Sequence, residues 1–218
     1  ERPTGSFSVG VGFSSIENFI FSTSITQDNL FGNGQRLSLN AHLSSIRTDF
    51  KINFTEPRLF DSEVSFGVDA FNEDQDYISF DAQSTGGGFR LGKNLSEHDS
   101  VNFKYRLANV ETSGVDASDE TEFFKNGTRL TSRVVPTYVY DSRDNFLNPS
   151  TGWRHVVGFE LAGLGGTKFS KYFYEVTYYR PLIGKLVGAA HARINYADGY
   201  GGDKLPAFER FFMGGPTS

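Results

Sequence analysis

The chain has 218 residues, including 24 glycines and 22 phenylalanines, with no cysteine and a formal net charge of −5. The missing cysteines exclude a disulfide framework, a thiolate nucleophile and any zinc–sulfur site, and the acidic balance argues against a nucleic-acid partner. No run approaches the roughly 20 apolar residues of a membrane-spanning helix. A hydrophobic content of only 38% still leaves room for a transmembrane barrel, whose apolar face occupies every second residue.

The dominant signal has period two. "SFSVGVGF" sets Phe7, Val9, Val11 and Phe13 on one face and Ser6, Ser8, Gly10 and Gly12 on the other. "QRLSLNAHL" alternates Leu37, Leu39, Ala41 and Leu43 against Arg36, Ser38, Asn40 and His42. The pattern recurs with Phe50, Ile52 and Phe54, then with Val64, Phe66, Val68 and Ala70, and again with Val101, Phe103, Tyr105 and Leu107. Side chains of a strand alternate between faces, so each segment is predicted as a strand with one apolar and one polar side. In chain order the strands fall near 5–14, 19–28, 35–44, 48–55, 62–72, 81–93, 100–110, 129–141, 153–163, 169–180 and 186–198. No segment has helical periodicity.

The connections sort by parity. After even strands come "NLFGNG", "EPRLFD", "NLSEHD", "SRDNFLNPSTG" and "PLIGK", all rich in turn formers. After odd strands come the more variable ones, among them the acidic "NEDQDYIS" and the long stretch 111–128, although the first two are short. An up-and-down meander produces such parity, because alternate connections lie at the same end, and in outer-membrane barrels one end carries the longer loops. Many polar-face positions are Ser, Gly, Thr or Asn, which suits a hydrated lumen. A soluble β-sandwich or lipocalin-like barrel stays open at this point, although eleven long strands in a meander would leave a large edge-bearing sheet.

Chemical motifs are sparse. "TGGGF" (85–89) lacks the following helix that a phosphate cradle requires. His42, His98, His155 and His191 have no ligand-like neighbours at metal spacing. Asp69, Glu73, Asp74 and Asp76 could gather a calcium ion, but a solvated acidic loop is the plainer reading, and no metal site is expected. No nucleophile motif supports an enzyme. "YVYDSRDNFLNPSTGWR" reads as a fixed structural corner with options for charge pairing.

That last stretch resembles the turn between the eighth and ninth barrel strands of BamA-type outer-membrane assembly factors. The opening "ERPTGSFSVGVGF" looks like their entry into the first strand, "ITQDNLFGNGQ" and "EPRLFD" like their first two turns, and "LPAFERFFMGGPTS" like the start of their sixth extracellular loop. The resemblance covers essentially the whole chain, in order. It implies an all-β, transmembrane, antiparallel up-and-down barrel, with about eleven of some sixteen strands present. Residues 1–218 would then be the N-terminal part of the barrel domain, with POTRA domains upstream and the last strands downstream absent.

The resemblance further implies a core subunit that folds and inserts client proteins into the bacterial outer membrane through a lateral gate. The gate's first strand would be Thr4, Gly5, Ser6, Phe7, Ser8, Val9, Gly10, Val11 and Gly12. Phe208, Phe211, Phe212, Gly214 and Gly215 would begin the sixth loop, and Asp141, Arg143, Asp144, Pro149 and Gly152 would form a structural turn. Implied partners are unfolded clients, accessory lipoproteins and the lipid bilayer, with no cofactor and no nucleic acid. A two-partner-secretion or TamA-like transporter of the same superfamily, or a simple passive porin, would share much of the plan.

Overall fold

The computed structural model describes residues 4–77, 80–115, 126–206 and 209–211. Among them run eleven strands: β1 (Gly5–Ser14), β2 (Asn18–Leu30), β3 (Gln35–Leu43), β4 (Arg47–Glu56), β5 (Val64–Asp76), β6 (Asp81–Asn94), β7 (Asp99–Ser113), β8 (Gly127–Asp141), β9 (Gly152–Gly166), β10 (Phe169–Pro181) and β11 (Val187–Gly199). They form one antiparallel sheet in sequential order. The fold is all-β, as the period-two pattern predicts.

The register joins residues of like parity into two continuous faces. One row runs Ser8↔Ser24↔Asn40↔Lys51↔Phe71↔Gly86↔Ala108↔Thr131. Its neighbours on the other face include Val9, Leu39, Ile52, Phe89 and Tyr105. That second face is apolar and open: Phe7 is 68% exposed and Val11 76%, and Phe19, Ile52, Val157 and Ile194 follow the same pattern. In water a contiguous apolar surface of this extent would be an aggregation liability; it marks a partner or a membrane. At 9 to 15 residues, every strand is at least as long as the roughly 9–11 residues a tilted transmembrane strand needs, and most extend beyond the hydrocarbon span.

Most of the tightly buried residues lie on the opposite, inner face, toward the odd-connection end. Ala108, Val110, Thr131, Ala162 and Phe169 are buried there, partly beneath the segment that follows β11. Tyr200 Oη donates to the Ala162 carbonyl (2.6 Å) and the Lys168 N–H to Asp203 Oδ2 (3.1 Å), which turns this segment back over the sheet.

Three strands run three or more residues past their predicted ends. β5 reaches Asp76, β7 Ser113 and β9 Gly166, so the acidic "NEDQD" stretch is strand rather than loop. Apolar alternation stops before these ends, but the backbone ladder continues, with Gln75↔Ala82 and Gln83↔Glu111 still paired. As strand, the acidic stretch sends Asp69 and Glu73 to the inner face and Asp74 and Asp76 to the outer one. Alternation therefore separates the four acids considered as a calcium site, and among the described residues no metal-binding group occurs. "TGGGF" lies in the middle of β6.

Candidate functional site

β1 is one edge of the described sheet. It pairs with β2 from Gly5↔Gln27 to Ser14↔Asn18 and has no second neighbour among the described residues. Phe7, Val9, Val11 and Phe13 point to the apolar face, while Ser6, Ser8, Gly10 and Gly12 point inward. The Thr4 carbonyl accepts from the Asp28 N–H (2.6 Å) and Thr4 Oγ1 from Gln27 Nε2 (2.7 Å), so the even-connection end is pinned. Thr23 Oγ1 donates to the Ser8 carbonyl at 3.2 Å. Glycine brings no side-chain contact and lowers strand propensity, so on the inner face Gly10 and Gly12 hold to β2 through the ladder alone, while on the outer face Phe13 packs edge-on against Phe19 (5.4 Å between ring centroids).

Farther along, the inner face carries a ladder of charges. Arg47 pairs with Asp49 (2.5 Å), Lys51 and Arg106 both pair with Glu73 (2.9 and 2.5 Å), and Arg90 pairs with Asp69 (2.8 Å). Gly88 lies opposite Arg106 and Gly86 opposite Phe71. With no side chains there, the Arg106 guanidinium can lie over the Phe71 ring, 3.6 Å from its centroid. A lumen dense in paired charges holds water and polar chain, whereas lipid is confined to the other face.

The segment after β11 joins this ladder through Glu209, which is only 6% exposed. Arg133 Nη1 of β8 donates to both Glu209 oxygens (3.1 and 3.3 Å) and to Glu160 of β9 (2.9 Å). Lys171 of β10 completes the cluster as a second ion-pair partner of Glu209. Lys171 also stands 5.8 Å from the centroid of the half-exposed Phe211 ring. Sequence reasoning names Phe211 but misses Glu209, Arg133, Glu160 and Lys171. The available signal was a charge at an inner-parity position in each of three neighbouring strands, with an acid in the segment that returns to them. Phe208, Phe212, Gly214 and Gly215 lie outside the described residues.

The β8–β9 connection, residues 142–151, is built on side-chain-to-backbone bonds. Arg143 grips Asp141 through two parallel bonds, Nε to Oδ1 (2.8 Å) and Nη2 to Oδ2 (2.6 Å). Asp144 Oδ1 accepts from the backbone N–H groups of Ser150 (2.8 Å) and Thr151 (3.1 Å), while the Ser150 hydroxyl bonds Oδ2. Pro149 leads into that closure. Gly152 has φ +112, and a Cβ there would meet the Ser142 carbonyl oxygen at 2.4 Å, so only glycine fits without strain.

The hydroxyl of Ser150, then the two backbone N–H groups, hold the Asp144 carboxyl at about 2, below its ordinary 3.8. Because the folded value is the lower one, this support is complete above about pH 4 and disappears as pH falls toward 2. Amide exchange at Ser150 and Thr151 is expected to accelerate across that window once corrected for intrinsic rates, and in Asp144→Asn to be faster and flat. Equal protection of wild type and variant would contradict the assignment.

An antiparallel meander with an apolar outer face and an ion-paired inner face is the wall of a transmembrane β-barrel. The Omp85 superfamily domain matches residues 29–218, and the chain belongs to that superfamily. It is 31% identical over its full length to the outer membrane protein assembly factor BamA of Nitratidesulfovibrio vulgaris, and 27% identical over 99% of its length to that of Neisseria meningitidis. It spans 28% and 30% of those two proteins. The crystal structure of BamA from Haemophilus ducreyi lacking POTRA domains 1–3 superposes with a TM-score of 0.88 at 22% identity, covering all of this chain and 46% of that one. The protein is a bacterial outer-membrane β-barrel protein.

Proposed function

We propose that this chain is the N-terminal part of the barrel domain of an outer-membrane assembly factor, and that β1 is the strand at which client barrels are templated. The observation that carries this reading is β1 itself: an edge strand, apolar toward lipid, whose inward Ser and Gly side chains give little hold on its neighbour. Whole-length similarity to proteins named as assembly factors supports the wider function.

The physical logic needs no nucleotide. A backbone N–H or C=O left unpaired in hydrocarbon costs several kcal/mol, so an opened β1 edge recruits any strand that can satisfy it. An unfolded client presents such strands, and β-augmentation joins them by main-chain bonds with little regard to side-chain identity. Phe7, Val9, Val11 and Phe13 hold the template at membrane depth. A passive pore is disfavoured by the segment after β11, which occupies the inner wall through Glu209. Accessory lipoproteins would assemble around the same barrel.

The test is reconstitution of the native protein in liposomes with an unfolded barrel client, scored by protease protection. Insertion is expected to exceed that into protein-free liposomes, and equal rates would defeat the proposal. Gly12→Val puts a β-branched side chain where only Ile20 Cβ lies within reach, at 4.0 Å. It should stabilise β1 by up to about 1 kcal/mol and slow insertion.

A further inference from the structure

On the outer wall, the rows of large side chains are interrupted at one place. Phe66↔Leu91↔Phe103↔Pro136 forms a cross-strand row that resumes at Phe159↔Tyr172. The β8–β9 ladder steps from Val134↔Leu161 to Thr137↔Gly158, leaving Pro136 unpaired on that side. Proline has no N–H to give the ladder, and its short ring leaves a hollow between the taller Phe103 and Phe159. The resulting groove has a volume of about 470 Å³, within the ~300–1,000 Å³ range of small-molecule sites. Leu91, Phe103, Phe159 and Tyr172 wall it, Pro136 floors it, and Lys93 stands at its rim.

Lys93 is the second of two independent features here. It is exposed on the lipid-facing side near the even-connection end of β6, where its stem can lie on apolar surface while the ammonium reaches toward the interface. It has no ion-pair partner among the described residues. The nearby carboxylate on this face, Asp99, is already engaged by the hydroxyls of Ser96 (2.6 Å) and Tyr138. An apolar slot with an uncompensated cation at its membrane-interface end matches a molecule with a hydrocarbon tail and an anionic head.

We infer that this groove is a binding site for an anionic phospholipid, with one acyl chain over Pro136 and the headgroup phosphate on Lys93. The bilayer supplies that occupant at high local concentration, because the groove opens on the face that contacts lipid. The inference rests on the membrane location of the wall, and is independent of whether β1 templates clients.

The native protein in nanodiscs of mixed phosphatidylglycerol and phosphatidylethanolamine tests it, with tightly retained lipid counted by native mass spectrometry. Wild type is expected to retain phosphatidylglycerol about fivefold over phosphatidylethanolamine, the preference one interfacial lysine can give. Lys93→Gln should abolish the preference, and Pro136→Leu, which fills the hollow, should lower retention of both lipids. Equal retention of the two lipids by wild type, or a preference untouched by Lys93→Gln, would overturn the site. As a check independent of the variants' folding, phosphatidylglycerol with a photoreactive acyl chain should label wild-type peptides containing Phe103 or Phe159. Labelling spread evenly over the outer wall would count against the groove.

Discussion

Glu209→Ala is expected to release the segment after β11 from the inner wall and to lower the stability of the barrel. Glu209 is 6% exposed and joins Arg133 to Lys171. When it is removed, Arg133 keeps Glu160 at 2.9 Å, so the loss falls on Lys171. That ammonium side chain is 14% exposed and would be left with the faces of Phe169 and Phe211 and with Glu160, directly opposite it on β9. Breaking a buried pair from one side costs about 3–5 kcal/mol, and residual hydration of Lys171 puts the expected cost at or below the lower end. At about 2–4 °C per kcal/mol for a domain of this size, the heat-modified gel shift of the folded barrel should occur several degrees lower. Trypsin should also cut near Arg210 sooner. Glu209→Gln, which keeps one acceptor oxygen but loses the charge and replaces the second acceptor with an N–H donor, should fall between. Unchanged melting and unchanged cleavage would mean that the cluster does not hold the segment.

The second large effect concerns β1. A cysteine at Ser8, paired with one on whichever strand seals the free edge of β1 in the intact protein, should abolish client insertion when oxidised and restore it on reduction. The control is built into the register: Ser8 lies directly opposite Ser24, so a Ser8→Cys/Ser24→Cys pair locks β1 to β2 and leaves its outer edge untouched. If templating uses that edge, this second lock should leave insertion largely intact. Loss of insertion in both would show that β1 must leave β2 as well, and normal insertion with the first lock closed would remove the gate from the mechanism.

Most of the wall was legible because a membrane strand advertises itself twice, in the alternation of Phe7, Val9, Val11 and Phe13 and in turn residues such as those of "NLFGNG". The ends of β5, β7 and β9 were not, because hydrophobic alternation reports the apolar band, and the ladder through Glu73–Asp76 and Glu111–Ser113 continues beyond it. The inner charge ladder was half visible. "RTDFKI" puts Arg47, Asp49 and Lys51 on one face, but only the strand register shows that Lys51 and Arg106 share Glu73. The Glu209 cluster was out of reach, since its partners are separated by 76 and 38 positions and meet only because the chain folds back after β11. The turn around Asp144 was readable as a fixed corner from its composition, and its particular bonds became visible only in three dimensions.

The most direct measurement is site-specific crosslinking along β1 during client insertion. Single cysteines at Ser6, Ser8, Gly10 and Gly12 would each be challenged with cysteines placed along a terminal strand of a stalled client. Templating by β1 predicts disulfides in one antiparallel or parallel register that shifts by two client residues for each two-residue step along β1. Efficient insertion of the client with no register-specific disulfide at any β1 position would contradict the account.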